Sequence, residues 1–147
     1  MSARHLRHDL RAAAVAALTA AGLTVSAGGD LRPRGRAAWP RIDVATSGDE
    51  WALATMGGRA RRLVSLVVRV RLGEDAGAAI SQDAADALAF QIEGAIYAAP
   101  AVQALGVIAS GATQCDFSDR GDTSITALEI SFVVQCVTNP SNPAAAQ

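Results

Sequence analysis

The chain has 147 residues and a mass of 15.0 kDa, the size of one compact domain, and a second catalytic domain is not expected. Half of the residues are hydrophobic and 18% are charged, enough to build a core, while no uninterrupted apolar run reaches the about 18 residues that a bilayer span needs. The net charge of −1 conceals a division: residues 1–71 carry 12 Arg against 5 acids, and residues 72–147 carry 1 Arg against 9. Such a chain either pairs its charges internally or offers a basic patch to the acidic patch of a neighbour. All 13 basic residues are Arg and none is Lys, and 33 residues are Ala; GC-rich coding accounts for both, so the arginines alone do not indicate nucleic-acid binding.

From the N-terminus, Ser2 is a candidate cap for a first helix with Leu6, Leu10, Ala14, Ala17, Leu18 and Ala21 at spacings of three and four, closed by Gly22. Asp9 and Arg11 interrupt any apolar signal-peptide segment, so secretion by that route is not expected. Leu23 to Ser26 reads as a short strand, and residues 27–38 read as a glycine-rich loop carrying Arg32, Arg34 and Arg36. That loop has neither GxxxxGK[ST] nor GxGxxG spacing, and a solvated or partner-facing loop outweighs a phosphate site. Trp39 to Val44 alternates as a strand, Thr46 to Asp49 resembles a turn, Glu50 to Met56 is a further strand candidate, and Gly57-Gly58 reads as a hinge or tight turn. The clearest strand is Leu63 to Leu72, with Val64, Leu66, Val68, Val70 and Leu72 on one face and Ser65, Val67, Arg69 and Arg71 on the other.

Ser81 is a candidate cap for a second helix whose apolar stripe is Ala85, Leu88, Ile92, Ala95 and Ile96, ended by Pro100. Val107 to Phe117 reads as a strand, residues 118–122 as a turn, and Thr123 to Thr138 as a last strand with Leu128, Ile130, Phe132, Val134 and Cys136 on its core side. These elements define a single α+β domain over residues 1–138, a mainly antiparallel sheet with two helices packed on one face. Residues 139–147 read as a flexible C-terminal tail.

Chemistry-bearing residues are sparse. His5 and His8 share a helix face, but no third ligand stands at matching spacing, and exposed helix positions outweigh a metal site. Asp116, Asp119 and Asp122 lack the DxDxDG pattern of a calcium loop, and Glu93 reads as a solvated or interface carboxylate. Cys115 and Cys136 read as two buried thiols, with a disulfide as the lesser alternative, because a turn near residue 120 sets Cys115 opposite about position 125. No triad forms, so neither an enzyme nor a cofactor is expected. Only Trp39 and Trp51 lie among the arginines, little for single-strand nucleic-acid binding.

The chain resembles the tail terminator proteins of long-tailed bacteriophages and gene transfer agents. The resemblance rests on the small chain length, the helix closing on Ala21-Gly22-Leu23-Thr24-Val25, the Pro40-Arg41-Ile42-Asp43-Val44 strand, the Arg62 to Leu72 strand, the Asp86-Ala87-Leu88 to Ile92-Glu93-Gly94-Ala95-Ile96 helix and the Thr123 to Thr138 strand. It implies a structural virion protein of the tail or neck, assembled in the host bacterial cytoplasm. In that role a hexameric ring caps the head-proximal end of the tail tube, stops its polymerisation and provides the head-attachment surface. It implies as partners the tail tube protein, a head-side connector or stopper, and DNA passing through the lumen without sequence-specific binding, with no membrane. No catalytic residues carry over. Trp51, Arg59, Arg61, Arg62, Arg69 and Arg71 are then the candidate interface residues. The rival readings are another neck component, such as a head-to-tail connector or tail completion protein, and an arginine-rich nucleic-acid-binding module.

Overall fold

The computed structural model describes residues 5–26, 40–53, 58–74, 82–120, 123–139 and 142–146. The fold is α+β, with the helices gathered on one face of a six-stranded sheet ordered β1-β2-β3-β5-β4, β6 pairing with β5 off that path. Helix α1 spans Leu6–Ala20 and buries Leu6, Leu10, Ala14 and Leu18, the stripe its spacing predicts. Its cap is His5, whose side chain accepts from the Arg7 amide; Ser2 lies outside the described residues. At the other end Gly22 has φ +86°, the Leu23 amide donates to the Leu18 carbonyl and the Gly22 amide to that of Thr19, a Schellman stop.

Strand β1 (Val25–Ser26) pairs in parallel with β2 (Arg41–Leu53), and all remaining pairings are antiparallel. Residues Thr46 to Asp49 do not form a turn. They carry a β-bulge inside one continuous strand: Thr46 faces Leu66 and Gly48 faces Ser65, leaving Ser47 as the extra residue. The bulge lets turn-prone residues persist in a strand because β3 (Ala60–Glu74) supplies the ladder on either side of it.

Helix α2 (Gln82–Tyr97) buries Ala85, Ala89, Ile92 and Ile96, with Leu88 and Ala95 half-buried; Ser81 lies outside the described residues. Pro100 does not merely end α2. It opens a short helix α3 (Pro100–Leu105), where its missing N–H costs nothing in the first turn, and Val102 is buried. Strand β4 (Val107–Arg120) pairs with β5 (Thr123–Asn139), and the pairing reaches Arg120 and Thr123, so the reversal is tighter than the sequence suggests. In place of a frayed tail, Asn142–Ala146 form β6, which folds back on the end of β5.

One core cluster joins Leu6, Leu10, Ala14 and Leu18 of α1 and Ile92 and Ile96 of α2 to the even-numbered residues Val64 to Val70 of β3 and Leu128 to Cys136 of β5. The alternation of a pleated strand sends their odd-numbered neighbours to the opposite face. At the α3–β4 junction, Gly106 lies against β5 so closely that a Cβ would sit 2.6 Å from the Gln135 carbonyl and 2.7 Å from Cys136 Sγ.

Candidate interaction surfaces

The bulge in β2 has a consequence for charge. The extra residue reverses the strand's parity, so Asp49 and Trp51, which simple alternation from Ile42 and Val44 would send to the open face, turn to the helix-covered side opposite Val64 and Arg62. Asp49 Oδ2 accepts from Arg62 Nη1 at 2.8 Å and lies 3.9 Å from Arg7 Nε and 3.8 Å from His5 Nε2. Arg62 also donates from Nε to Thr138 Oγ1 at 3.1 Å, and its guanidinium stands 5.9 Å from the Trp51 ring centroid. A largely buried carboxylate thus ties the start of α1 to β2 and β3, and Arg62 in turn supports Trp51, whose ring remains 58% exposed. Burial raises the Cys136 thiol to about 11; the Asp49 charge adds to this and Arg62 opposes it.

The open face carries charge in cross-strand rows. Arg41, Arg71, Ala127 and Asp116 stand side by side, and the next row holds Asp43, Arg69, Glu129 and Gln114. Arg69 Nε is 3.5 Å from Glu129 Oε2. Most basic groups belong to the β2–β3 side and most acidic ones to the β5–β4 side, the exceptions on β2 being Asp43, which is buried, and the exposed Glu50, so the division seen along the sequence becomes largely a division across the sheet. At the β4 edge, Asp83 and Asp86 are exposed on α2. The Cys115 thiol is raised by burial, then by the charges of Asp86 and Asp116.

Between α2 and β4 lies a cleft of about 190 Å³. Glu93 and Tyr97 form its helix side, and Gly111, Thr113 and Phe132 belong to its strand side. The Thr113 hydroxyl donates to Glu93 Oε1 at 2.6 Å, and Tyr97 meets Phe132 edge-on with centroids 6.0 Å apart. Phe90, two turns before Tyr97 on the same side of the helix, is 80% exposed.

The candidate interface residues therefore separate into two groups. Arg59, Arg61, Arg71 and Trp51 are exposed, and Arg69 is half-exposed beside Glu129. Arg62 is not a free surface residue: it sits on the core side of β3 and is held by Asp49 and Thr138. Both cysteines are free thiols; Cys136 is buried but Cys115 only half-buried, and Cys115 pairs with Leu128 rather than with a residue near 125. Arg32, Arg34, Arg36 and Asp122 lie outside the described residues, as do the side chains of Asp119 and Arg120. His8 Nδ1 is 3.5 Å from Asp9 Oδ1, and among the described residues no group of three His, Cys, Asp or Glu is placed to hold a metal ion. No helix among them is long and apolar enough to cross a membrane. Phe90 and Tyr97 were not singled out from the sequence, although both lie off the stripe that α2 buries, and a large apolar residue off that stripe is the available signal.

No protein-family model matches the sequence, and no curated protein does. Among solved structures, a chain of the virion of a native gene transfer agent particle aligns over 89% of this chain and 92% of its own, with 17% identity and a TM-score of 0.38.

Proposed function

We propose that the chain is a structural virion protein of a phage-like tail: a terminator that closes into a hexameric ring on the head-proximal end of the tail tube, stops its polymerisation and presents the head-attachment surface. The observation that carries the reading is the division of charge across one sheet. Exposed arginines lie on the β2–β3 side, while Asp83, Asp86, Asp116 and Glu129 lie on the α2–β4–β5 side. Opposite charge on opposite flanks of one subunit favours heterologous, head-to-tail contacts, which generate a ring when the rotation closes. The element order supports the family resemblance on which the ring and its partners rest. In this role the surfaces do the work and no catalysis is involved. The tube protein binds one side of the ring, a head-side connector or stopper binds the other, and DNA passes through the lumen; the protein functions in the virion after assembly in the host cytoplasm.

Light scattering of the purified protein across a concentration and salt series tests this, together with electron microscopy of tail-tube ends. A mass near six subunits that falls with salt, or rings formed on tube ends, is expected. A monomer under all conditions that leaves tube ends bare overturns the reading.

A further inference from the structure

We infer that the Trp51 patch of one copy seats in the α2–β4 cleft of a second copy, an inference that rests on the assembly reading above and names the contact that builds it. Two unpartnered features motivate it. Trp51 combines a large exposed ring with a rigid support, since Arg62 behind it is fixed by Asp49 and Thr138. Exposed aromatic side chains on ordered backbones are what interface anchors are made from, because little rotamer freedom is lost on docking. The cleft provides a concave, partly aromatic receiver with Tyr97 on its wall, exposed Phe90 beside it along the helix, and the Glu93 carboxylate at its side.

Charge selects the pairing. On its own face Trp51 is accompanied by Arg62 and the exposed Arg7, with Asp49 between them, whereas the helix bordering the cleft carries Asp83, Asp86 and Glu93. Geometry forbids a subunit from satisfying itself. Trp51 belongs to β2 and the cleft to β4, three strand spacings away, which is roughly 14 Å across the sheet at about 4.8 Å per strand. They are also offset along the strands, since Trp51 lies in register with Arg62 and Cys136 whereas the cleft lies beside Ile130 and Phe132. Anchor and receiver on separate flanks of the same chain make the contact heterologous, as a closed ring requires.

The test uses Trp51→Ala as the anchor variant and two cleft variants, Glu93→Arg and Phe90→Ser. All three positions are at least partly exposed, and near-UV circular dichroism and thermal melts check that each variant folds as the wild type does. Each variant should associate at least about tenfold more weakly, read by light scattering or by ring occupancy on tube ends. Mixing Trp51→Ala with Glu93→Arg leaves one intact anchor facing one intact cleft, so the mixture should form heterodimers that neither variant forms alone. If the wild type assembles and the variants assemble equally well, the contact lies elsewhere and this inference falls while the ring survives. Weakened variants whose mixture gives no heterodimer also overturn it, because the two surfaces are then not each other's partners. A wild type that neither associates nor occupies tube ends removes both readings.

Discussion

On the helix-covered face, β3 presents Val64, Leu66, Val68 and Val70, all buried and all in one cluster with the helices; on the other face the same strand presents Arg61, Arg69 and Arg71 to solvent or to the β5 carboxylate beside them. The strand's two-residue period therefore assigns alternate positions to different tasks, one row closing the core and the other setting surface charge at Arg61, Arg69 and Arg71, with Val67 among them itself buried. Arg61 and Arg62 mark the division most sharply, being adjacent in sequence and on opposite faces. Arg62→Glu places a second carboxylate beside Asp49 and removes the donor to Thr138. Removing one partner of such a buried pair costs about 3–5 kcal/mol, and a large loss of stability is expected in chemical denaturation. Arg61→Glu, by contrast, should leave folding within about 0.5 kcal/mol and act only on association. The two variants must therefore be made separately, because a joint reversal would confuse unfolding with lost assembly. Equal stability of the two single variants would contradict the assignment of Arg62 to the core side.

Apolar positions sharpen the same contrast. Leu66 is fully buried on the covered face, and Leu66→Ala should cost about 2–5 kcal/mol, depending on how far the site collapses. On the open face, Arg69→Ala loses a half-exposed pair with Glu129, worth about 0–1 kcal/mol and less at high salt. Gly106→Ala is expected between these extremes. Its φ of 177° is ordinary extended backbone, so the cost is steric: the new methyl meets a backbone carbonyl and the Cys136 sulfur, and overpacking of this kind costs about 1–3 kcal/mol. A melting temperature equal to wild type would show that the α3–β4 link can move away from β5.

How much of this was legible depended on whether the signal was periodic or relational. The α1 stripe, the Gly22 stop and the alternation of β3 and β5 are local periodicities, and they could be read directly. The Thr46–Asp49 segment misled because its residues favour turns, and only pairing with β3 shows that the strand continues through a bulge. That misreading hid the candidate site, since the parity reversal is what brings Asp49 and Trp51 beside Arg62. Pro100 was read as a stop although proline is equally at home in a first helical turn, and the tail's return as β6 is a short hairpin, Asn139 pairing with Asn142 and Thr138 with Ala146, in a segment whose Asn and Pro residues read as loop. The sequence groups Arg59, Arg61, Arg62, Arg69 and Arg71 together and holds no reason to set Arg62 apart; burial beside Asp49 does.

A further effect is a dependence on pH that appears only in alkali. Cys136 lies on the covered face with its thiol raised to about 11 against an ordinary value of 9.0, because burial and the nearby Asp49 charge disfavour the thiolate, with Arg62 opposing them. Between these values the unfolded chain has released this proton and the folded chain still holds it. Stability then falls as pH rises, since the folded state binds more protons than the unfolded state does. The contribution is fully present below about 9 and is lost progressively towards 11. Denaturant midpoints measured through this window should decline in the wild type and decline less steeply in Cys136→Ala, even though that variant starts lower for want of the buried sulfur. Cys115, half-buried at the β4 edge, is also raised and adds a slope of the same sign that persists in the Cys136 variant. Parallel pH profiles for wild type and Cys136→Ala would show that this thiol does not sense the covered face, and would detach it from the Asp49–Arg62 cluster.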